Sequence, residues 1–140
     1  MLFDTVINEI SRDVNPKLKH NDTVCQIEQV FRKNGFYTTK EYPIYKLKDG
    51  SDRAGRIDLV ARKDKFRVAV EYAHHKLIKW KSFQKIIQIK PDVAIAIAGS
   101  GLLESNMMRA IKFRAIVRYP LYVVSLRDKN YKILKGPEVF

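Results

Sequence analysis

Residues 55–72 read GRIDLVARKDKFRVAVEY and contain two short apolar runs on either side of a charged turn. The first run alternates in part between apolar and polar residues, and both runs have the length of strands. The turn over residues 63–65 is short enough to join neighbouring antiparallel strands. The stretch therefore predicts a β-hairpin with strands over residues 56–62 and 66–72.

The segments that precede this hairpin predict one helix and one strand. Residues 22–34 have apolar residues at helical spacing, behind an Asn-Asp pair that can cap a helix and ahead of Gly35. Residues 36–47 are rich in Tyr, Phe, Thr and Ile, which favour strands. Pro43 predicts that this strand lies at an edge of the sheet or contains a bulge, because proline has no N–H to donate.

Beyond the hairpin, helical and strand-like segments alternate. Residues 93–99 (VAIAIAG) form a continuous apolar run, which predicts a central strand covered on both faces. The other predicted elements are helices over 79–90 and 102–113, a strand over 121–126 and a candidate closing strand over 131–134. The sequence thus predicts a single α/β domain over residues 1–140. We expect a central mixed sheet flanked by helices, in the order α-β-β-β-α-β-α-β.

The composition is that of a globular protein with a strong excess of positive charge. The chain has 140 residues, of which 46% are hydrophobic and 30% charged, so disorder and a disulfide-knit mini-protein are disfavoured. Its net charge of +12 attracts polyanions, and nucleic acid is the commonest large polyanion in a cell. One cysteine, no export signal and no membrane-length apolar run predict a cytoplasmic protein without a membrane partner.

Two carboxylates lie inside the predicted hairpin strands, where a charge is costly. Asp58 is flanked by the apolar residues of GRIDLVA, and Glu71 ends the run FRVAVE. A buried carboxylate is unfavourable unless it is paired, hydrogen-bonded or bound to a cation. On adjacent strands the two can converge on one point, and paired carboxylates are ligands that Mg²⁺ prefers. The alternative is that Arg56 or Arg67 neutralises them in structural ion pairs.

These features resemble the PD-(D/E)XK nuclease superfamily, which includes many restriction enzymes and archaeal Holliday-junction resolvases. The resemblance covers residues 22–126: a leading helix with the acid Glu28, hairpin strands with Asp58 and Glu71, and a helix-strand continuation. It implies a restriction-endonuclease-like fold, a DNA substrate and a catalytic role for Glu28, which would reach the site at the strand ends as the superfamily's leading-helix acid does; an ordinary surface position is the alternative for Glu28. The resemblance also implies that Asp58 and Glu71 hold Mg²⁺, or Mn²⁺ in its place. The metal stabilises charge at the scissile phosphate and helps to generate hydroxide.

The sequence departs from the superfamily at one position. The superfamily's lysine stands two residues after the glutamate, where this chain has Ala73. The following segment offers Lys76, Lys79, Lys81 and Lys85 as replacements. Lys81 and Lys85 lie largely off the apolar face of the predicted helix, so either could reach the glutamate, and Lys85 is the preferred candidate.

Other basic residues predict contacts with the phosphate backbone of DNA. Such contacts are independent of base sequence and sensitive to salt. The predicted set flanks the loop before Asp58 and begins the helix after the hairpin: Lys46, Lys48, Arg53, Arg56, Lys76, Lys79 and Lys81.

Resemblance and charge together predict a Mg²⁺-dependent DNA endonuclease that hydrolyses phosphodiester bonds by metal-activated water. We expect a homodimer, because each site cuts one strand and a chain of this size would need a second copy to contact both strands of a duplex. A catalytically inactive nuclease-like module that only binds nucleic acid is an alternative, favoured by Ala73. A small basic RNA-binding or ribosome-associated protein would explain the charge but would leave the two carboxylates unexplained.

Overall fold

The computed structural model describes residues 2–45 and 53–135. The helices are α1 (Leu2–Asp13), α2 (His20–Lys33), α3 (Trp80–Ile89) and α4 (Met107–Ile116), and a 3₁₀ turn over Glu104–Asn106 precedes α4. The strands are β1 (Tyr37–Tyr45), β2 (Arg53–Lys63), β3 (Phe66–Ala73), β4 (Val93–Ala98), β5 (Leu121–Ser125) and β6 (Asn130–Leu134). They form one six-stranded sheet in the order β1-β2-β3-β4-β5-β6.

The sheet is antiparallel at its two sides and parallel in the middle. Strands β1, β2 and β3 form an antiparallel meander, β3, β4 and β5 run parallel, and β6 pairs antiparallel with β5. Each parallel pair needs a crossover, which α3 and α4 supply. All six residues of β4 are buried, as expected of a central strand. Pro43 lies on the edge strand β1, as its sequence predicted.

Helices cover both faces of the sheet and bury two apolar cores. Both crossovers run in the same direction along the sheet, which places α3 and α4 on one face. The other face is covered by α1 and α2. The first core includes Phe83, Ile86, Ala110 and Phe113 from α3 and α4. The second includes Val6, Ile10, Ile27 and Phe31 from α1 and α2. The predicted mixed α/β sheet flanked by helices is confirmed.

The structure begins with a helix that the predicted order lacks. In α1, the residues Phe3, Val6, Ile7 and Ile10 are all buried against the sheet. Their spacing is that of one face of an amphipathic helix. The order therefore starts with two helices, and β6 forms the closing strand at its other end. None of the helices in the described ranges is long and apolar enough to span a membrane.

The helix predicted over residues 102–113 begins later, at Met107. The reason is the buried side chain of Asn106, which bonds to the segment that precedes α3. Its Oδ1 accepts from Ile78 N–H at 2.8 Å, and its Nδ2 donates to the Lys76 carbonyl at 3.0 Å. Such side-chain bonds hold the chain in a tight turn before the regular helix begins.

Candidate active site

Asp58 and Glu71 lie where the β2–β3 hairpin opens. Regular pairing of the two strands ends at Leu59 and Val70, and the next pair in this register would be Asp58 and Glu71. There the carboxylates replace the backbone acceptors. Glu71 Oε2 accepts a hydrogen bond from Asp58 N–H at 2.9 Å, and Asp58 Oδ2 accepts one from Tyr72 N–H at 2.8 Å. The two acids thus satisfy the backbone donors that the opening of the strands would leave unpaired.

The remaining oxygen of each carboxylate contacts a helix on a different face of the sheet. Asp58 Oδ1 lies 3.7 Å from Nε2 of His20, the first residue of α2, and the Asp58 side chain is 21% exposed. Glu71 Oε1 lies 2.6 Å from Nζ of Lys85 on α3, and the Glu71 side chain is 2% exposed. This second contact is close enough for an ion pair. The two acids meet at the strand opening, while their free oxygens are directed to α2 and α3.

The environment of Glu71 favours its protonated form. Burial, and after it the nearby charge of Asp58, raise the pKa of Glu71 to about 8. The contact with Lys85 and the hydrogen bond from Asp58 N–H act in the opposite direction and are outweighed. A cation bound at this position would favour the ionised carboxylate.

Lys85 reaches Glu71 from α3 across the backbone of β2. Its Nζ also donates a hydrogen bond to the Arg56 carbonyl at 2.9 Å, which fixes the ammonium from a second side. The stem of the side chain passes Gly55, where a Cβ would lie only 3.2 Å from Lys85 Cδ. Gly55 also has a φ of +138°, a conformation that glycine adopts most readily. By contrast, Lys81 is exposed and makes no contact with Glu71.

The structure does not bring Glu28 to these two acids. Its carboxylate accepts a hydrogen bond from Thr38 Oγ1 at 2.7 Å and lies 3.5 Å from Arg32 and 3.9 Å from Lys40. The end of α2 nearest the site is His20, and Glu28 lies more than two turns further along the helix. At 1.5 Å per residue that separation is about 12 Å. Glu28 is held instead in a separate cluster with β1.

His20 is the residue at this site that the sequence analysis missed. Its Nε2 lies 3.1 Å from the Tyr72 carbonyl oxygen as well as 3.7 Å from Asp58, and its ring packs on the Tyr72 ring at 5.2 Å between centroids. A cavity of about 180 Å³ borders His20 and Asp58, together with Cys25 and Lys40. In the sequence His20 is one more basic residue ahead of a helix. Only the packing of the start of α2 beside the end of β3 places it here.

The two arginines that the alternative interpretation pairs with the acids do not contact them. Arg67 donates to backbone carbonyls at the end of α3. Arg56 extends to the exposed Glu41, with 3.6 Å between their side-chain atoms. The structural alternative is therefore wrong about the partner, because it is Lys85 that contacts Glu71.

The residues expected to contact DNA are described only in part. Lys46 and Lys48 lie outside the described residues, and of Arg53 only the backbone is described. The other members of the set are all exposed: Arg56, Lys76, Lys79 and Lys81. Their exposure is compatible with phosphate contacts and equally with a solvated surface.

The donor chemistry of the two acids fits Mg²⁺, with further ligands required. Within residues 2–45 and 53–135, no three His, Cys, Asp or Glu side chains are grouped to hold a metal ion. Mg²⁺ is usually bound by one or two carboxylates, with water and substrate phosphate completing the coordination. Asp58 Oδ1 makes no hydrogen bond with the described residues and keeps its lone pairs for a cation, whereas Glu71 Oε1 already contacts the Lys85 ammonium at 2.6 Å.

Comparisons with known proteins identify no relative of this chain. No protein-family model matches it, and neither does any curated protein or solved structure. A functional assignment therefore rests on the geometry around Asp58, Glu71 and Lys85.

Proposed function

We propose that this chain is a Mg²⁺-dependent DNA endonuclease with a restriction-endonuclease-like fold. The observation that carries the proposal is the position of Lys85, whose Nζ lies 2.6 Å from Glu71 Oε1. The superfamily that the sequence resembles has an ammonium beside this glutamate, supplied by the same strand. Here Ala73 occupies the strand position, and α3 supplies the ammonium from the face to which Glu71 also points.

The order of the elements around the acids supports the same proposal. The resemblance implies a leading helix, a hairpin, a third strand and a helix-strand continuation. In the structure α2 leads, β1 to β3 form the meander that contains both acids, and α3 crosses over to the parallel strand β4. The net charge of +12 supports a polyanionic substrate.

The chain's own residues have separable roles in phosphodiester hydrolysis. Asp58 and Glu71 would hold the cation at the opening of the hairpin. When bound, Mg²⁺ supplies Lewis-acid stabilisation of the charge on the phosphate and lowers the pKa of water. Lys85, fixed by Glu71 and the Arg56 carbonyl, would donate a hydrogen bond that orients the attacking water. Its positive charge would also stabilise the negative charge that develops on the phosphate.

A catalytically inactive nucleic-acid-binding module is the second candidate. Ala73 favours it, and so do the backbone hydrogen bonds of the two acids. Those bonds give Asp58 and Glu71 a structural role at the strand opening without any metal. In this case Lys85 would only compensate the buried charge of Glu71.

A plasmid-nicking assay tests the proposal. The purified chain should nick supercoiled plasmid with Mg²⁺ or Mn²⁺ and leave it intact with EDTA. A Glu71→Gln preparation purified in parallel shows whether a contaminating nuclease is responsible. DNA binding without cleavage in any divalent metal would support the inactive module instead. Linear product that appears without accumulated nicked plasmid would support the proposed homodimer, in which two sites act on opposite strands.

A further inference from the structure

A second, basic cleft lies at the same end of the sheet as the two acids. It has a volume of about 800 Å³ and is bordered by the end of α1, the α1–α2 connection, the β4–α4 loop and the β5–β6 turn. Its charged lining residues are Arg12, Asp13, Lys17, Arg127 and Lys129. Four basic residues and one acid give this surface a net charge of +3.

The basic side chains of the cleft have no acidic partners in the part of the chain that the structure describes. All four are exposed, and none forms an ion pair with any of the described residues. Arg12 Nε makes one weak contact, to the Asn8 carbonyl at 3.3 Å. Many basic residues elsewhere in the described ranges are also exposed and unpaired, so it is the grouping of four of them around one concave surface that distinguishes the cleft. Unpaired cations around a concave surface focus a positive potential that attracts anions.

The cleft is connected to the candidate active site on one side by the chain itself. Asn15, Pro16 and Lys17 line it, and three residues after Lys17 the chain reaches His20, which lies beside Asp58. An extended segment of five residues spans less than about 18 Å, so the two sites are near neighbours.

A hydrogen-bonded connection joins the two sites on the other side. Ser100, which lines the cleft, donates from Oγ to the His74 carbonyl at 3.1 Å. The His74 ring in turn lies 3.1 Å from the Tyr72 hydroxyl. Tyr72 is the residue whose N–H bonds Asp58. The cleft lies at the carboxyl ends of β4 and β5, where open α/β sheets commonly bind their ligands.

We propose that this cleft binds the sugar–phosphate backbone of a nucleic acid strand, adjacent to the segment that reaches Asp58 and Glu71. Four unpaired cations around one cleft suit a chain of phosphates, whereas a single anion would need fewer. The direction of the strand toward the acids rests on the proposed function. The proposal that a nucleic acid strand binds in the cleft is independent of that function, because binding requires neither metal nor cleavage.

The test compares two double variants that remove the same amount of charge. Lys17→Ala with Arg127→Ala removes two cations of the cleft. Arg62→Ala with Lys65→Ala removes two exposed cations at the opposite end of the β2–β3 hairpin and is the matched control. Affinity for a short labelled DNA duplex is measured in EDTA over a series of salt concentrations. The slope of log affinity against log salt should decrease in magnitude by about 0.9 for each phosphate that the protein no longer neutralises. The slope of the cleft variant should therefore be smaller by about 2, and the control should keep the wild-type slope.

Equal slopes in the cleft variant and the control would overturn the inference, as would salt-independent binding by the wild type. Inorganic pyrophosphate serves as a small-anion probe. If it bound as tightly as DNA and depended on the same two residues, the cleft would be a small-anion site and the backbone assignment would be wrong. A chain that binds DNA through the cleft but never cuts it would count against the nuclease proposal alone.

Discussion

The two ends of the β2–β3 hairpin differ in what completes their hydrogen bonding. At the closed end, backbone groups pair regularly as far as Leu59 and Val70, and alternate side chains enter the two apolar cores. At the open end, the carboxylates of Asp58 and Glu71 bond the backbone in place of carbonyls. Burying a carboxylate is unfavourable where an apolar or amide side chain would serve. The difference therefore indicates that the closed end maintains the fold and that the open end is the candidate active site.

Removing one charge at the open end should have the largest effect. Asp58→Asn and Glu71→Gln are each expected to abolish Mg²⁺-dependent nicking, because each removes a charge that would hold the cation. DNA affinity in EDTA should stay close to that of the wild type, since the basic surface is unchanged. Nicking assays and binding titrations measure the two effects separately.

The control for these variants is Asp64→Asn at the closed end. Asp64 is exposed in the hairpin turn with a φ of +54°, which asparagine tolerates well. This variant should cut like the wild type. Normal nicking by Asp58→Asn or by Glu71→Gln would remove the basis for assigning the site.

A smaller effect is expected from Lys85, which contributes to the open end from α3. Lys85→Ala should lower the nicking rate by about 10²–10³-fold, the usual range for loss of one donor that stabilises developing negative charge. DNA affinity should change little. Ala73→Lys in the same background should restore part of the rate, because residue 73 lies on the face of β3 that Glu71 occupies.

Lys81→Ala is the matched control for Lys85→Ala, since Lys81 lies on the same helix and is exposed. It should leave the rate unchanged. If both lysine variants cut like the wild type, the assignment of the ammonium to α3 is wrong. If only Lys81→Ala slows cleavage, the catalytic ammonium is that of Lys81 and not that of Lys85.

The smallest expected effect is on stability as a function of pH in metal-free buffer. The pKa of Glu71 is raised from 4.5 to about 8 in the folded chain. Between these values the folded state binds more protons than the unfolded state, so Glu71 makes the free energy of unfolding fall as pH rises. Its contribution is greatest below the lower value and is lost above the higher one. The slope should not exceed about 1.4 kcal/mol per pH unit for this one group.

Urea unfolding of the wild type and of Glu71→Gln between pH 5 and about 8 measures this contribution. The free energy of unfolding of Glu71→Gln should change less with pH than that of the wild type, whatever the absolute stability of the variant. Asp64→Asn again provides the closed-end comparison and should keep the wild-type slope. Parallel curves for the wild type and Glu71→Gln would mean that Glu71 titrates normally.

Most of the fold follows from local patterns in the sequence. The hairpin, the buried strand β4 and the helix α2 were predictable because strand and helix periodicities differ and the turns are marked by charged residues or glycine. The helix α1 has an equally clear pattern at Phe3, Val6, Ile7 and Ile10, which the sequence analysis did not use. The late start of α4 was not predictable in this way, because it depends on bonds from Asn106 to a distant segment.

Only those parts of the candidate site that depend on local strand and helix geometry were predictable. Strand position identified Asp58 and Glu71, and the helical face narrowed the lysines to Lys81 and Lys85. Alternation along a strand does not reveal where two strands separate, so the contacts of the acids with different helices were not foreseen. The roles of His20 and Glu28 depend on which end of α2 lies beside β3, and apolar periodicity is the same at both ends.

The strand order also has a consequence for how the chain folds. Every hydrogen-bonded neighbour in the sheet is the next strand along the chain, so no described strand has to wait for a partner from a distant segment. Loop-closure entropy then favours the β2–β3 hairpin, whose turn has two residues between its strands, over the longer crossovers through α3 and α4. Lys85 arrives with the first of those crossovers. Early folding species should therefore contain both Asp58 and the buried Glu71 before the ammonium that accompanies Glu71 is in place.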